Sequence, residues 1–258
     1  MNGVFVLSVT AVVMAVLYVA ERLWPARRAP VEWGHNIIAY VLTDFGQIVR
    51  FTAPAALTAA LVNGLGGGLV DLTRMPFLAG ALIWLVAMDL AEYVFHRAQH
   101  AFPWLWAMHS LHHSDRGLNF LTTQRHFWLE PSLKAVSVWL AVALVFKGDA
   151  QIYGFYALTQ IWHYVVHANL RLDFGPLSWV VNGPAYHRLH HSRDPAHYNS
   201  NYAALLPIFD VLTGAYRPPA PGERPETGLD VAVRSPMDVL VWPLRGLRRV
   251  PAIVGRGS

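Results

Sequence analysis

The chain alternates long apolar runs with short polar segments. The first run extends from Val4 to Ala20 without a charged residue, and another extends from Pro76 to about Phe95. Each approaches the ~20 apolar residues that an α-helix needs to cross a bilayer. Because the residues before Val4 carry no basic side chain, the first run does not resemble a signal peptide, and we interpret it as a retained helix.

Three further apolar runs are less regular. The run Ile37–Val70 is broken by charged residues and a proline, so it predicts either one bent span or a helical hairpin. The runs Pro131–Phe146 and Ile152–Val166 flank a tight turn that begins at Lys147, and together they predict a second hairpin. We therefore expect an all-α, integral-membrane helical bundle with about four crossings.

The basic residues near the ends of these runs indicate an orientation. With about four crossings they fall on one side, which the excess of Lys and Arg makes the cytoplasmic side. We expect membrane helices in residues 1–75, a histidine-rich domain in 76–217, and a membrane-proximal tail in 218–258. The residues that set the orientation are Arg22, Arg27, Arg28, Arg97, Arg116, Arg125, Arg171, Arg188 and Arg193, against Arg74 and Lys147 on the other side.

Composition supports a membrane protein. Hydrophobic residues make up 54% of the chain and charged residues 14%, whereas a soluble domain has about 25% charged residues. The chain has no cysteine, which excludes disulfides, thiolate metal sites and iron–sulfur clusters. The basic residues are scattered rather than arranged in a stripe, so no nucleic-acid partner is expected.

Histidine is the residue type that composition leaves unexplained. Ten of the 13 histidines fall in four short clusters near the ends of apolar runs. On a helix, residues i, i+3 and i+4 share one face, so each cluster presents two or three imidazoles together. The clusters are His96 with His100, His109 with His112 and His113, His163 with His167, and His187 with His190 and His191.

Four clusters together point to metal binding, although a single pair of histidines would not. Neutral imidazoles packed together without a metal would leave many buried polar groups unpaired. Ten ligands exceed the coordination sphere of one metal, so we expect two metals. Imidazole suits zinc, copper, iron and nickel, and the spacing does not choose among them.

The histidine clusters and their surroundings resemble the fatty acid hydroxylase superfamily, also called the sterol desaturase family. The resemblance covers about Trp84 to Arg217. Two departures stand out: Trp128 replaces a usual proline in the element Arg125–Glu130, with His126 one position early, and Ala203 replaces a usual glycine. The matching segments are Asp89–Arg97, Trp106–Ser114, His167–Arg171, His187–Ser192, Asn199–Tyr202 and Phe209–Asp210.

The resemblance implies a helical membrane stalk with a cytoplasmic histidine-rich helical cap, and it makes residues 76–217 the catalytic domain. It further implies a membrane-bound oxygenase with two iron ions, which uses O2 to hydroxylate or desaturate a C–H bond of a lipid. The lipid could be a fatty acyl chain, a sterol, an ether lipid or a carotenoid. All ten clustered histidines would bind metal. Since the chain offers no electron carrier of its own, an external reductase, ferredoxin or cytochrome is expected.

Four polar residues near the clusters are candidates for hydrogen bonds that orient the imidazoles. Asp89 and Tyr93 precede His96 on one helix face, while Asn169 and Asn201 could equally cap local structure. The remaining histidines are interpreted as surface or interfacial residues, and they are His35, His126 and His197.

Two other classes of protein stay open at this point. A bis-histidine haem electron carrier would need paired histidines on facing helices, and an absorption spectrum without a Soret band would exclude it. A metal-binding membrane protein without catalysis would show no turnover with O2 and a reductant. Desaturation of the lipid by the same metal site also stays open, because the histidine clusters do not distinguish it from hydroxylation and only analysis of the product can.

The charge asymmetry generates a prediction about topology. The N-terminus should lie outside and the C-terminus in the cytoplasm, because an excess of Lys and Arg marks cytoplasmic segments. Reporter fusions at Lys147 and Ser258 should therefore report opposite sides of the membrane. The same side for both fusions would contradict the hairpin between Pro131 and Val166.

Overall fold

Two long helices follow the first apolar run and the run that begins at Pro76. Helix α1 spans Gly3–Leu23 and helix α3 spans Phe77–Ala101. The computed structural model describes residues 3–42, 61, 62, 64, 66–231 and 233–249, and within them only these helices are long and apolar enough to cross a membrane. Both expose large apolar side chains along their length, among them Leu7 on α1 and Val94 on α3.

The rest of the Ile37–Val70 run is described only at its ends. Residues 33–42 are helical and form α2, whereas residues 43–60 lie outside the described part of the chain. A 3-10 turn at Leu72–Arg74 leads into α3, and Gly80 of α3 packs against it. A Cβ at Gly80 would lie 2.9 Å from the Leu72 carbonyl oxygen, so glycine is what permits this approach.

The runs at Pro131–Phe146 and Ile152–Val166 are both helical. The first is one continuous helical stretch, made of α5 (Glu130–Lys134), a π-helical segment (Ala135–Trp139) and α6 (Leu140–Val145). The second forms α7 (Ala150–Thr159) and α8 (Trp162–His167). Each is shorter than a full crossing, which takes ~20 residues. The helical class is confirmed, and about four crossings with a cytoplasmic cap stay predictions.

The link between these helical stretches is fixed at both ends. Strand β2 (Phe146–Lys147) pairs in parallel with β1 (Val70–Asp71), which precedes α3. The Asp149 carboxylate then accepts hydrogen bonds from the backbone N–H groups of Gln151 and Ile152, at 2.9 and 3.0 Å. This N-cap satisfies donors that the start of a helix leaves unpaired.

The core between α3 and the two stretches is aromatic and aliphatic. Trp84 and Met88 of α3 are fully buried and pack against Val138, Val142 and Ile152. Burying such side chains contributes about 1.5–3 kcal/mol each, so this contact fixes the stretches on one face of α3. That face continues toward the histidines at the end of α3.

The histidine-rich half is built from short helices. They are α4 (Pro103–His113), a 3-10 helix at Phe120–Gln124, α9 (Pro184–His190), α10 (Ile208–Thr213) and α11 (Pro236–Arg249). Helix α11 packs on α4, where the indole N–H of Trp242 donates to the Ser110 hydroxyl at 2.9 Å. Its other face exposes Met237 and Leu244. The predicted membrane-proximal tail is therefore partly docked on α4.

Arg125 ties α2 to the end of α4. Its guanidinium is fully buried and donates to the Asn36 side chain, the Glu32 carboxylate and the Ser114 hydroxyl at 2.8, 2.8 and 2.9 Å. A further bond of 3.2 Å reaches the Leu111 carbonyl. A planar guanidinium can satisfy such a set of acceptors, which a single ammonium cannot.

Replacing Arg125 should therefore destabilise the fold. Arg125→Met removes the guanidinium from the Glu32 carboxylate and leaves buried acceptors such as the Asn36 side-chain oxygen without this donor, so we expect a loss of roughly 3 kcal/mol in the free energy of unfolding. The stability of Arg125→Lys should lie between that of Arg125→Met and that of the parent. The measurement is thermal unfolding in detergent, with Arg74→Met as a control because the Arg74 side chain is 85% exposed. An Arg125→Met protein that unfolds with the parent would contradict this assignment.

Candidate metal centre

Four helix ends bring nine of the ten predicted ligands together. Their ring nitrogens form two adjoining groups, in each of which the candidate ligand atoms lie within 4.8 Å of one another. The groups touch, since the His113 and His191 rings stack with centroids 4.4 Å apart. Group one contains His96, His100, His109, His113 and His190; group two contains His112, His167, His187 and His191.

The two three-histidine clusters divide their members between the groups. In α4, His109 and His113 enter group one, while His112 enters group two. At α9 the assignment is reversed: residues 187 and 191 enter group two, and residue 190 enters group one. At about 100° per residue, positions i and i+3 lie about 60° apart and positions i and i+4 about 40° apart, on opposite sides of position i. This spacing favours the split, and the neighbouring helices complete each group.

Nitrogen–nitrogen distances inside the groups match those around a metal ion. Nε2 of His96 lies 3.1 Å from that of His109 and 3.0 Å from that of His190. In group two, Nε2 of His167 lies 3.1 Å from that of His112 and 3.0 Å from that of His187. Two nitrogens about 2.1 Å from one metal are about 3.0 Å apart when their bonds meet near 90°. The residues present therefore fit a metal in each group.

The opposite ring nitrogens are held by acceptors. Nδ1 of His96 and of His190 donate to the carbonyls of Tyr202 and Ser200, at 2.7 and 2.8 Å. Nδ1 of His167 lies 2.8 Å from the carbonyl of residue 163. An Nδ1–H bonded in this way fixes the tautomer and leaves the Nε2 lone pair for a metal, which is the usual arrangement of a ligating histidine.

Several buried nitrogens have no partner among the described residues. They include both ring nitrogens of His100, and Nε2 of His113. Burial lowers the pKa of His113 and His191 well below the usual value, and the neighbouring imidazoles lower it further. These rings are therefore neutral, as a metal ligand must be. An unpaired buried nitrogen is costly, and a metal would remove that cost.

Glu130 is a contributor that the histidine spacing did not single out. Its Oε1 accepts from Nδ1 of His109 at 2.8 Å, from Nδ1 of His126 at 3.0 Å and from the Gln99 amide at 2.6 Å. Burial favours the neutral acid, but His126 and His109 outweigh it and hold the pKa of Glu130 well below its usual value. The signal available in the sequence was the i, i+4 spacing of His126 and Glu130.

Asp89 and Tyr93 do not make the predicted contacts to imidazoles. The Asp89 carboxylate accepts instead from the backbone N–H groups of Leu205 and Leu206, both at 2.9 Å. The Tyr93 hydroxyl hydrogen-bonds to Thr213. Both residues hold the segment that follows Tyr202, and so they act on the site through its backbone.

The two asparagines hold loops. Asn169 accepts from the backbone of Arg27 and from the Arg188 guanidinium, at 3.1 and 2.7 Å. Asn201 bonds to the backbone of Tyr186 and Arg217. Among the described residues other than glycine, only residues 199 and 201 have a positive φ, which asparagine tolerates. Ala203 does not have a positive φ, so its position does not require the glycine that is usual in the family. The carbonyl groups of Ser200 and Tyr202, on either side of Asn201, accept hydrogen bonds from His190 and His96.

Two histidines outside the clusters are closer to the site than expected. His197 is 4% exposed, so its interpretation as a surface or interfacial residue is wrong: it contacts the Ser192 hydroxyl at 2.8 Å and Glu223 at 3.1 Å. His126, to which no role was given, stacks on His112 with ring centroids 4.6 Å apart. His35 stays apart from both groups, beside Glu32.

The structure does not bring His163 into either group. Its Nε2 faces the Glu92 carboxylate at 3.9 Å, one helical turn before His167. Its backbone carbonyl contributes to the centre instead, as the acceptor for His167. The expectation that all ten clustered histidines converge is thus met by nine.

These positions predict different effects of substitution on bound metal. His113→Ala and His191→Ala each remove a ligand, so metal affinity should fall by at least about 10–100-fold, the range found for lost supporting contacts. His163→Ala should retain its metal, as should the control His35→Gln. Elemental analysis of matched, folded preparations measures this. Full metal in His113→Ala, or metal loss in His163→Ala equal to that in His191→Ala, would contradict the grouping.

Comparison with known proteins places the site in a family. The model of the fatty acid hydroxylase family matches residues 81–215, which include every histidine of both groups. No solved structure matches.

Curated relatives match over the same part of the chain. An alkylglycerol monooxygenase of Xenopus tropicalis is 33% identical over 57% of this chain and 33% of its own length. An ornithine lipid hydroxylase of Rhizobium tropici is 30% identical over 57% of this chain and 45% of its own length. A very-long-chain aldehyde decarbonylase of Oryza sativa subsp. indica is 28% identical over 71% of this chain and 28% of its own length.

The matches to these relatives thus span less than half of each relative's length, although they include the histidine clusters. The family model covers more than half of this chain. Its match and the relatives named as monooxygenase and hydroxylase agree with the resemblance in the histidine clusters. The chain belongs to the fatty acid hydroxylase family.

Proposed function

We propose that this chain is a membrane-bound oxidoreductase that hydroxylates a C–H bond of a lipid with O2, using two iron ions held by group one and group two. The observation that carries the proposal is the pair of adjoining groups of buried, neutral imidazoles. The names of the relatives, which include monooxygenase and lipid hydroxylase, support the same class of reaction.

The choice of iron rests on chemistry and family together. Imidazole also suits zinc, copper and nickel, so the ligand set alone does not select a metal. Family membership favours iron, which when bound would supply the redox chemistry with O2 that carbon–hydrogen oxidation needs. In the net reaction one oxygen atom enters the C–H bond and the other leaves as water, with two electrons and two protons supplied from outside.

The electrons would come from a separate donor. The chain has no cysteine, so it offers neither an iron–sulfur cluster nor a redox-active thiol. A reductase, ferredoxin or cytochrome would dock on the side that carries the histidine-rich half. By the Lys/Arg asymmetry, this side is cytoplasmic.

The chain's own residues would prepare the site in two ways. Glu130 and the carbonyls of Ser200 and Tyr202 fix the ring orientation of ligands, so that the centre is ordered before substrate arrives. Burial of the ligands keeps water away: His113 is 4% exposed and His191 is 1% exposed. A site that excludes water protects a reactive centre from side reactions.

A lipid would approach through the bilayer. Helices α1 and α3 expose apolar side chains such as Leu7 and Leu78, which suit contact with lipid tails. A cavity of about 440 Å³ is lined by residues of α3, α5, the π-helical segment, α7 and α8, among them Val138 and Trp139. Pockets of this size are typical of small-molecule sites.

The proposal predicts both metal content and product. Protein reconstituted with ferrous iron should hold close to two irons per chain, and with a reductant and ¹⁸O2 it should add one labelled oxygen to an alkyl lipid. Mass spectrometry of the lipid measures this, and His113→Ala should give no product. Iron near one per chain would contradict two metals. An unlabelled product lacking two hydrogens would show desaturation instead.

A further inference from the structure

Helix α11 exposes apolar side chains on the face that does not contact α4. Val239 and Trp242 are buried in the cluster that α11 forms with α4, whereas Met237 is 60% and Leu244 is 71% exposed. A helix whose free face meets water normally carries polar residues there. The free face of α11 is therefore an apolar surface on the histidine-rich half, formed by Met237, Leu240 and Leu244.

The charges of this part of the chain are almost all positive. Asp238 is 1% exposed and accepts from the backbone N–H of Arg234 at 2.7 Å and from the Ser235 hydroxyl at 3.0 Å. From Val239 to Ser258 the sequence contains four arginines and no acidic residue. Three of them follow the apolar surface within about one and a half turns of helix. They are Arg245, Arg248 and Arg249.

Contacts along α3 show at which level of the molecule α11 lies. Helix α3 and the helical stretch that follows Leu129 run antiparallel. The Glu92 carboxylate accepts from Lys134 at 2.9 Å, and one turn or two further along α3 the Gln99 amide donates to Glu130 at 2.6 Å. The residues just before Glu130 consequently lie at the level where α3 ends.

Exposed aromatic residues mark this level. Phe102 and Trp104 follow α3, Trp128 precedes Glu130, and all three are exposed. The indole N–H of Trp128 donates to the carbonyl of Leu240 in α11 at 3.2 Å. Tryptophan is enriched where a membrane helix passes from the bilayer into water. Helix α11 is thus attached at the level where α3 would leave the bilayer.

These properties match a helix that lies in the membrane surface. Such a helix buries its apolar face about 5–10 Å deep, at the boundary between head groups and acyl chains. Arginines beside it attract anionic lipids. A second copy of the chain on the same face would bring like charges together, which is unfavourable. The charge therefore favours a lipid surface over self-association.

We propose that α11 is a membrane-surface helix that binds anionic phospholipids. Its apolar face enters the boundary between head groups and acyl chains, and the arginines that follow Leu244 bind the phosphate groups. The histidine-rich half is then attached to the bilayer at a place distinct from α1 and α3. This attachment does not depend on the reaction that the metal centre performs.

The first test measures what surrounds α11. Because the chain has no cysteine, a bimane fluorophore can be attached to Leu244→Cys alone, in metal-loaded protein in nanodiscs of phosphatidylcholine and phosphatidylglycerol. Phospholipids brominated near the head group should quench its fluorescence. Aqueous acrylamide should quench it far less than the same fluorophore on Asp230→Cys, since the Asp230 side chain is 91% exposed.

Two outcomes of this test would overturn the proposal. Equal quenching by acrylamide at both sites would show that the free face of α11 meets water. Protection of the Leu244→Cys fluorophore from both acrylamide and brominated lipid would show that protein covers this face, as in a dimer.

The second test identifies the lipid beside α11. Two nanodisc preparations contain the same minor fraction of phosphatidylglycerol and differ only in which of the two lipids is brominated. Quenching at Leu244→Cys should show phosphatidylglycerol enriched about fivefold or more over its share of the bilayer, as expected from one arginine near an anionic lipid surface. High salt should reduce this enrichment, because salt screens charges. Random mixing of the two lipids around α11 would contradict the proposal.

Neutral variants separate the arginines from the apolar face. In the triple variant Arg245→Gln, Arg248→Gln and Arg249→Gln, the enrichment should disappear. The control is Arg74→Gln with Lys147→Gln, which removes exposed positive charges at the other end of α3 and should preserve the enrichment. Bound metal and elution volume report that each variant is folded. A folded triple variant with the parent's enrichment would refute the role of the arginines and with it the proposal.

Discussion

The structure depends on keeping nine neutral imidazoles in contact, of which eight are buried and His96 is partly exposed. Imidazoles cannot satisfy one another when many Nε2 atoms face a common point, since each offers either one donor or one acceptor. The surrounding chain meets part of this constraint by engaging Nδ1 of His96, His109 and His190, through the Tyr202 carbonyl, Glu130 and the Ser200 carbonyl. The buried Arg125 network at the end of α4 and the loop from Asn199 to Tyr202 hold the helix ends and carbonyls that this arrangement needs.

Much of this centre could be predicted from sequence because helical spacing is local. The i, i+3 and i+4 positions of His109, His112 and His113 determine which rings share a face before any tertiary contact is known. The apolar runs likewise predicted α1 and α3. The π-helical segment at Ala135–Trp139 and the docking of α11 had no such local signal, because both depend on packing against distant residues.

The misjudged residues share a different cause. Asp89 bonds to the backbone N–H groups of Leu205 and Leu206, which are 116 and 117 residues away in the chain, and a pattern of residue types does not show which loop will pass nearby. His197 is buried and contacts Glu223, which lies beyond the histidine clusters in the chain. His163 has the spacing of a ligand, yet its ring lies beside Glu92. Sequence identified the chemistry of the centre, whereas tertiary packing decided which polar groups surround it.

The crossed assignment of α4 and α9 has a consequence for evolution. Each helix supplies both groups, so one inserted residue would rotate every later histidine of that helix by about 100° and disturb both groups at once. Insertions between the clusters, in loops, carry no such cost. Length variation in descendants of this chain should therefore be confined to the connecting loops, and the spacing inside each cluster should be more restricted than the identity of the residues between the histidines.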